Sequence, residues 1–121
     1  MSSTILVVDD EADIRAFLTA VLEKAGYRVV TAEDGGKALA AAEEHHPDLI
    51  VLDLQMPDHT GTDFYRRMMK HDDFKDPPVI VVSGIAGRHL AVSRPFAVFD
   101  KPIVPGEFIE TVERALGDDG S

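Results

Sequence analysis

Five short apolar runs punctuate the chain: TILVV (residues 4–8), YRVVT (27–31), DLIVL (48–52), PVIVV (78–82) and FAVF (96–99). Each is rich in Val and Ile or in Phe and has the length of a strand. The runs are nearly continuous in apolar residues, which is the pattern of strands buried on both faces of a parallel sheet. Between them lie longer stretches with helical spacing. Asp10 or Asp13 is placed to cap a first helix reaching Lys24, with Ile14, Phe17, Leu18, Val21 and Leu22 on one stripe and Gly26 as its stop. A second, Ala-rich helix opens at Asp34 or Gly35, runs through Lys37 to Glu44, and ends at His45, His46 and Pro47. Residues 60–70 form a third, carrying Phe64, Met68 and Met69, and Pro105 starts the last, with Phe108, Ile109, Val112 and Leu116 inward and Gly117 behind it. The weak stretch is IAGRHLAVSRP, residues 85–95, which offers about two turns of pattern, so the fourth of five helices is expected to be short. Strand and helix alternating five times predicts an α/β fold, a doubly wound five-stranded parallel sheet covered on both faces.

A length of 121 residues fits one domain. Hydrophobic residues at 45% and charged residues at 28% are near the globular average, so a core forms without staples. Twenty-two acidic against twelve basic residues leave a formal charge of −10, which repels a phosphate backbone and argues against nucleic acid and against anionic membranes. With no cysteine, disulfides, thiol nucleophiles and Cys-ligated zinc are excluded. The N-terminal apolar run meets acids, where a signal peptide has a basic region followed by small residues, and the expectation is a soluble, cytoplasmic protein.

In a doubly wound sheet, ligands bind outside the carboxyl ends of the strands. Asp9 and Asp10 follow the first run, Asp53 the third, Ser83 the fourth, and Lys101 the fifth. All five polar groups therefore converge on one edge. Gathered carboxylates repel one another unless a cation neutralises them. An oxygen-only set without His or Cys suits Mg²⁺, with Mn²⁺ as a substitute. Lys101 as a point charge and the Ser83 hydroxyl complete a pocket for a tetrahedral anion. Such a pocket suits phosphoryl transfer in which a carboxylate is the nucleophile, and Asp53 is the candidate.

These residues resemble the receiver domains of bacterial two-component response regulators, a chemotaxis-regulator-like family with the flavodoxin-like strand order 2-1-3-4-5. The resemblance spans nearly the whole chain, treated as one domain over residues 1–121 with 117–121 a flexible tail. It rests on ILVVDDE, DLIVLDLQMPDHTG, the hydroxyl of VIVVSG, and FDKP. It implies that Asp53 accepts a phosphoryl group from a phosphohistidine on a sensor histidine kinase or phosphotransfer protein, and that the phosphorylated form signals to a downstream protein. It further implies Mg²⁺ on Asp10, Asp53 and the backbone carbonyl of Gln55, with Asp9 acting largely through water. Lys101 would contact the phosphoryl group and Asp53, Ser83 would swing toward it, and Lys101–Pro102 would be the family's cis peptide.

Two departures stand out. Val98 occupies the position where the family places its switch aromatic, between Phe96 and Phe99, and the stretch between Ser83 and Lys101 is a few residues shorter than receivers usually show. Gly84 leaves the pocket mouth without a side chain, which should ease the approach of small phosphodonors. A Mg²⁺-dependent phosphatase using an aspartyl phosphate is the main rival, but that haloacid-dehalogenase-like family has a second Asp two residues after its nucleophile, where this chain has Gln55. An FMN-binding reading lacks the hydroxyl-rich loop after the first strand. A pseudo-receiver scaffold is disfavoured by the intact acceptor set. The shortened segment predicts that phosphorylation orders or displaces residues 84–95. Amide exchange with and without a beryllofluoride mimic should show changed protection there, and identical protection would refute it.

Overall fold

Strands that are apolar along their whole length need cover on both faces, and the chain supplies it by alternation. The computed structural model describes residues 3–53, 60–70, 77–83, 97–100 and 103–117. In order these form β1 (Thr4–Val8), α1 (Ala12–Lys24), β2 (Arg28–Ala32), α2 (Gly35–His45), β3 (Leu49–Asp53), α3 (Thr60–Met69), β4 (Val79–Ser83), β5 (Ala97–Asp100) and α4 (Pro105–Ala115). The five strands make one parallel sheet in the order β2-β1-β3-β4-β5, the doubly wound arrangement expected from the sequence. The short helix expected before β5 lies outside the described residues.

Because side chains alternate along a strand, the sheet sorts its residues into two cores. Leu6, Val8, Ile50, Leu52, Val79 and Val81 pack with Ala38 and Ala42 of α2 and with Phe64, Tyr65 and Met68 of α3. On the other face Ile5, Val7, Leu49, Val51, Ile80 and Val82 pack with Leu18 and Leu22 of α1 and with Phe108 and Val112 of α4. Each fully buried aliphatic or Phe side chain contributes about 1.5–3 kcal/mol relative to exposure. At the opposite end of the sheet from the candidate site, Asp48 closes the β1–β3 pairing. Its Oδ2 accepts the Thr4 N–H at 2.8 Å, and its own N–H donates to the Thr4 carbonyl at 2.7 Å.

The helix ends follow local chemistry, with one correction. Asp34 caps α2 as expected, its Oδ1 accepting the Lys37 N–H at 2.8 Å. Gly26 takes φ +100° after α1, a backbone angle that costs Gly little. The expected cap of α1 by Asp10 or Asp13 is not formed. The N-cap is Glu11, whose side chain makes no capping bond, and it is Asp9 whose Oδ1 accepts the Glu11 N–H at 2.9 Å. Phe17 is also off the expected stripe, 38% exposed. At 3.6 residues per turn it sits about 100° round from Leu18, and the core is already filled by Leu18 and Leu22 with Ile14 and Val21 beside them.

The C-cap of α2 is unusual. His46 adopts φ 46°, ψ 65°, the left-handed region, and its N–H donates to the Ala42 carbonyl at 2.9 Å. A side chain with a Cβ is disfavoured there by roughly 1 kcal/mol, whereas Gly is not. His46→Gly should therefore raise the unfolding free energy by about 0.5–1 kcal/mol in urea denaturation, the αL hydrogen bond being kept.

Candidate functional site

Strand register decides which loop residues meet. Val8 of β1 pairs with Leu52 of β3 on one side and with Ala32 of β2 on the other, so the next residue, Asp9, stands beside Asp53 at the carboxyl edge. Asp9 keeps one further bond to the sheet, its N–H donating to the Ala32 carbonyl at 3.1 Å. Asp53 is the last residue of β3 and lies opposite Val82; Ser83 ends β4 opposite Asp100. Asp9 and Asp53 are each only 1% exposed, whereas Asp10 faces solvent.

Carboxylate oxygens of Asp9, Asp10 and Asp53 lie within 4.8 Å of one another. At that separation two full charges repel by about 3–4 kcal/mol for an effective dielectric of about 20, so the cluster favours any cation that enters it. The donors are oxygen only, two buried and one open to solvent, and they fit a hard divalent ion that keeps part of its water shell. Gln55, Gly84, Lys101 and Pro102, the other residues singled out from the sequence, lie outside the described residues.

A family model for the response regulator receiver domain matches residues 5–113. The chain belongs to the response regulator receiver domain family. Among curated relatives, protein Rrf1 of Nitratidesulfovibrio vulgaris is 34% identical over 116 residues, 96% of this chain and 84% of the relative. The polar-differentiation response regulator DivK of Brucella ovis is 32% identical over 120 residues, 96% of this chain and 97% of the relative. Among solved structures, chemotaxis protein CheY4 of Vibrio cholerae superposes with a TM-score of 0.86 at 30% identity, covering 96% of this chain and 100% of that one. Receiver domains are signalling components of two-component systems, and the family relation implies kinases or phosphotransfer proteins on one side and downstream targets on the other. Among the described residues no helix is long and apolar enough to cross a membrane.

Within this receiver domain, Val98 and Phe99 sit on opposite faces of β5. Val98 packs half-buried against the α2–α3 core. Phe99 packs on the α1–α4 side, its ring meeting that of Phe108 edge-on with centroids 5.6 Å apart and planes at 72°. Phe99 is thus engaged with α4, an arrangement worth about 0.5–1.5 kcal/mol beyond area burial.

Arg15 is a contributor that reading the sequence for acids passed over. Its Nη1 donates to the main-chain carbonyl of Asp9 at 2.7 Å, from the first turns of α1. The available signal was a cation near a helix N-terminus, where the macrodipole disfavours it.

Divalent ion binding to the acid cluster should stabilise the fold by mass action. With Mg²⁺ or Mn²⁺ at about ten times its dissociation constant, the expected gain is about 1.4 kcal/mol, read as a rise in Tm. NaCl at matched ionic strength should not reproduce it, and Asp10→Asn should shrink it.

Proposed function

We propose that the chain is a phosphoacceptor switch. Asp53 takes a phosphoryl group from a phosphohistidine of a sensor histidine kinase or histidine phosphotransfer protein, and the phosphorylated form signals to a partner protein by a conformational change. The observation that carries this reading is the meeting of Asp9, Asp10 and Asp53, from two distant segments, at the carboxyl edge of a receiver-family sheet.

The chemistry is an in-line transfer. A carboxylate oxygen of Asp53 forms a bond to phosphorus while the bond from phosphorus to the donor imidazole nitrogen breaks. The bonding pair leaves on that nitrogen, and the product is an acyl phosphate. Mg²⁺, or Mn²⁺ in its place, would supply neutralising charge and would be held by Asp10, Asp53 and the Gln55 carbonyl, with Asp9 acting through water. Lys101 places an ammonium against the transferred group. The Ser83 hydroxyl turns toward the phosphoryl oxygens; support for both roles comes from the register, which sets Ser83 beside Asp100, the residue before Lys101. The chain then catalyses only its own phosphorylation and dephosphorylation. Its formal charge of −10 supports a protein target over nucleic acid or an anionic membrane surface.

Incubation with acetyl phosphate or phosphoramidate and Mg²⁺, followed by intact-mass spectrometry, should show one phosphoryl group added. The addition should disappear with EDTA and in Asp53→Asn. Modification that persists in Asp53→Asn would sink the assignment.

A further inference from the structure

Asp9 is tied at three points. Its N–H donates to the Ala32 carbonyl at 3.1 Å, its Oδ1 accepts the Glu11 N–H at 2.9 Å, and its carbonyl accepts from Arg15 Nη1 at 2.7 Å. The first is a main-chain bond to the end of β2, and the second joins the Asp9 carboxylate to the main chain two residues on. The third brings a half-buried cationic side chain from α1 onto the turn that carries two of the three clustered acids. Electrostatics alone does not explain that placement. A positive charge near the helix N-terminus works against the macrodipole, and beside a cation site it opposes the incoming ion. What the guanidinium supplies is geometry: a planar, rigid fork that loses little freedom per hydrogen bond formed. The pKa of Glu33, in the turn after β2, is lowered chiefly by the hydrogen bond and charge of Lys37, and the Arg15 guanidinium adds a smaller lowering of the same sign.

We infer that Arg15 is a positioning residue for the divalent ion: by holding the Asp9 carbonyl it fixes the backbone from which Asp9 and Asp10 project, so that the acids are arranged before the ion arrives. This rests on the reading of the acid cluster as a Mg²⁺ site. The two effects of removing Arg15 have opposite signs. Loss of a nearby positive charge tightens cation binding, whereas loss of the tie frees the turn and weakens it. The direction of the change therefore decides between them.

The experiment is a Mg²⁺ titration, by calorimetry or by NMR chemical shift, of the wild-type chain, Arg15→Ala, Arg15→Lys and Asp10→Asn. Arg15→Ala should raise the dissociation constant by about tenfold, the scale on which supporting partners of metal ligands act. Arg15→Lys, which keeps the charge and can offer one donor, should fall between. Saturating Mg²⁺ should restore the phosphorylation rate of Arg15→Ala from acetyl phosphate to near that of the wild type, since the defect lies in ion affinity. In the metal-free variant the Glu11 amide should exchange faster while the β1 amides keep their protection, which separates a loosened turn from a loosened fold. Equal or tighter Mg²⁺ binding by Arg15→Ala overturns the assignment. If Arg15→Ala does not fold, Arg15→Lys decides alone: weaker binding supports the role and wild-type affinity overturns it. Failure of the wild type itself to bind Mg²⁺ overturns both this role and the proposed function, whereas wild-type binding that is lost in Asp10→Asn but kept in Arg15→Ala overturns this role only.

Discussion

Mutual repulsion among three carboxylates is the constraint around which the structure is organised. Asp9, Asp10 and Asp53 bring oxygens within 4.8 Å of one another, and two of the three are almost wholly withdrawn from water. The buried pair, Asp9 and Asp53, opposes folding in the absence of a counter-ion, while water screens Asp10. Burial of two or three side chains such as Leu52, Val8 and Ile80 offsets one such pair, and the sheet buries many more than that on its two faces. The core is therefore what makes a concentrated negative site tolerable, and the site is what gives a cation its leverage over the fold.

Parallel pairing is the means by which the acids are delivered. A parallel sheet puts the carboxyl ends of all its strands on one edge, so residues far apart in the chain meet without any long loop having to reach across. Asp53 needs no loop at all, being the last residue of β3. Asp9 is one step beyond its strand and still bonded to the sheet through Ala32. Adjacent residues then take different environments, Asp9 buried and Asp10 exposed, which leaves one side of the cluster open to water and to a ligand.

On the switching mechanism proposed here, β5 is the strand through which a change at Ser83 would pass outward. Its described core residues divide between the layers: Val98 faces α2 and α3, whereas Ala97 and Phe99 face α1 and α4, with Phe99 meeting Phe108. Val98, a β-branched aliphatic, has no ring to swing between buried and exposed states. Among the described residues, the Phe99–Phe108 contact ties the strand to α4.

The element order, the parallel sheet and the strand ends bearing acids were legible because they depend on periodicity and on residues adjacent in the chain. Asp34 as a cap, Pro105 at the start of α4 and Gly26 beyond α1 are of the same kind, since capping and backbone angles are decided within a turn. The cap of α1, the exposure of Phe17 and the tie from Arg15 to Asp9 were not legible. Asp9 serves the N-terminus of α1 in place of Asp10 or Asp13, Phe17 falls outside the filled stripe, and Arg15 finds a carbonyl six residues back. Each of these is settled by how a helix is rolled against the sheet and by the register that sets Val8 beside Leu52. Local pattern determines which segments form and where they stop; hydrogen-bond partners and the share of a side chain left in water belong to the packed layers, because they depend on neighbours that the chain order does not specify.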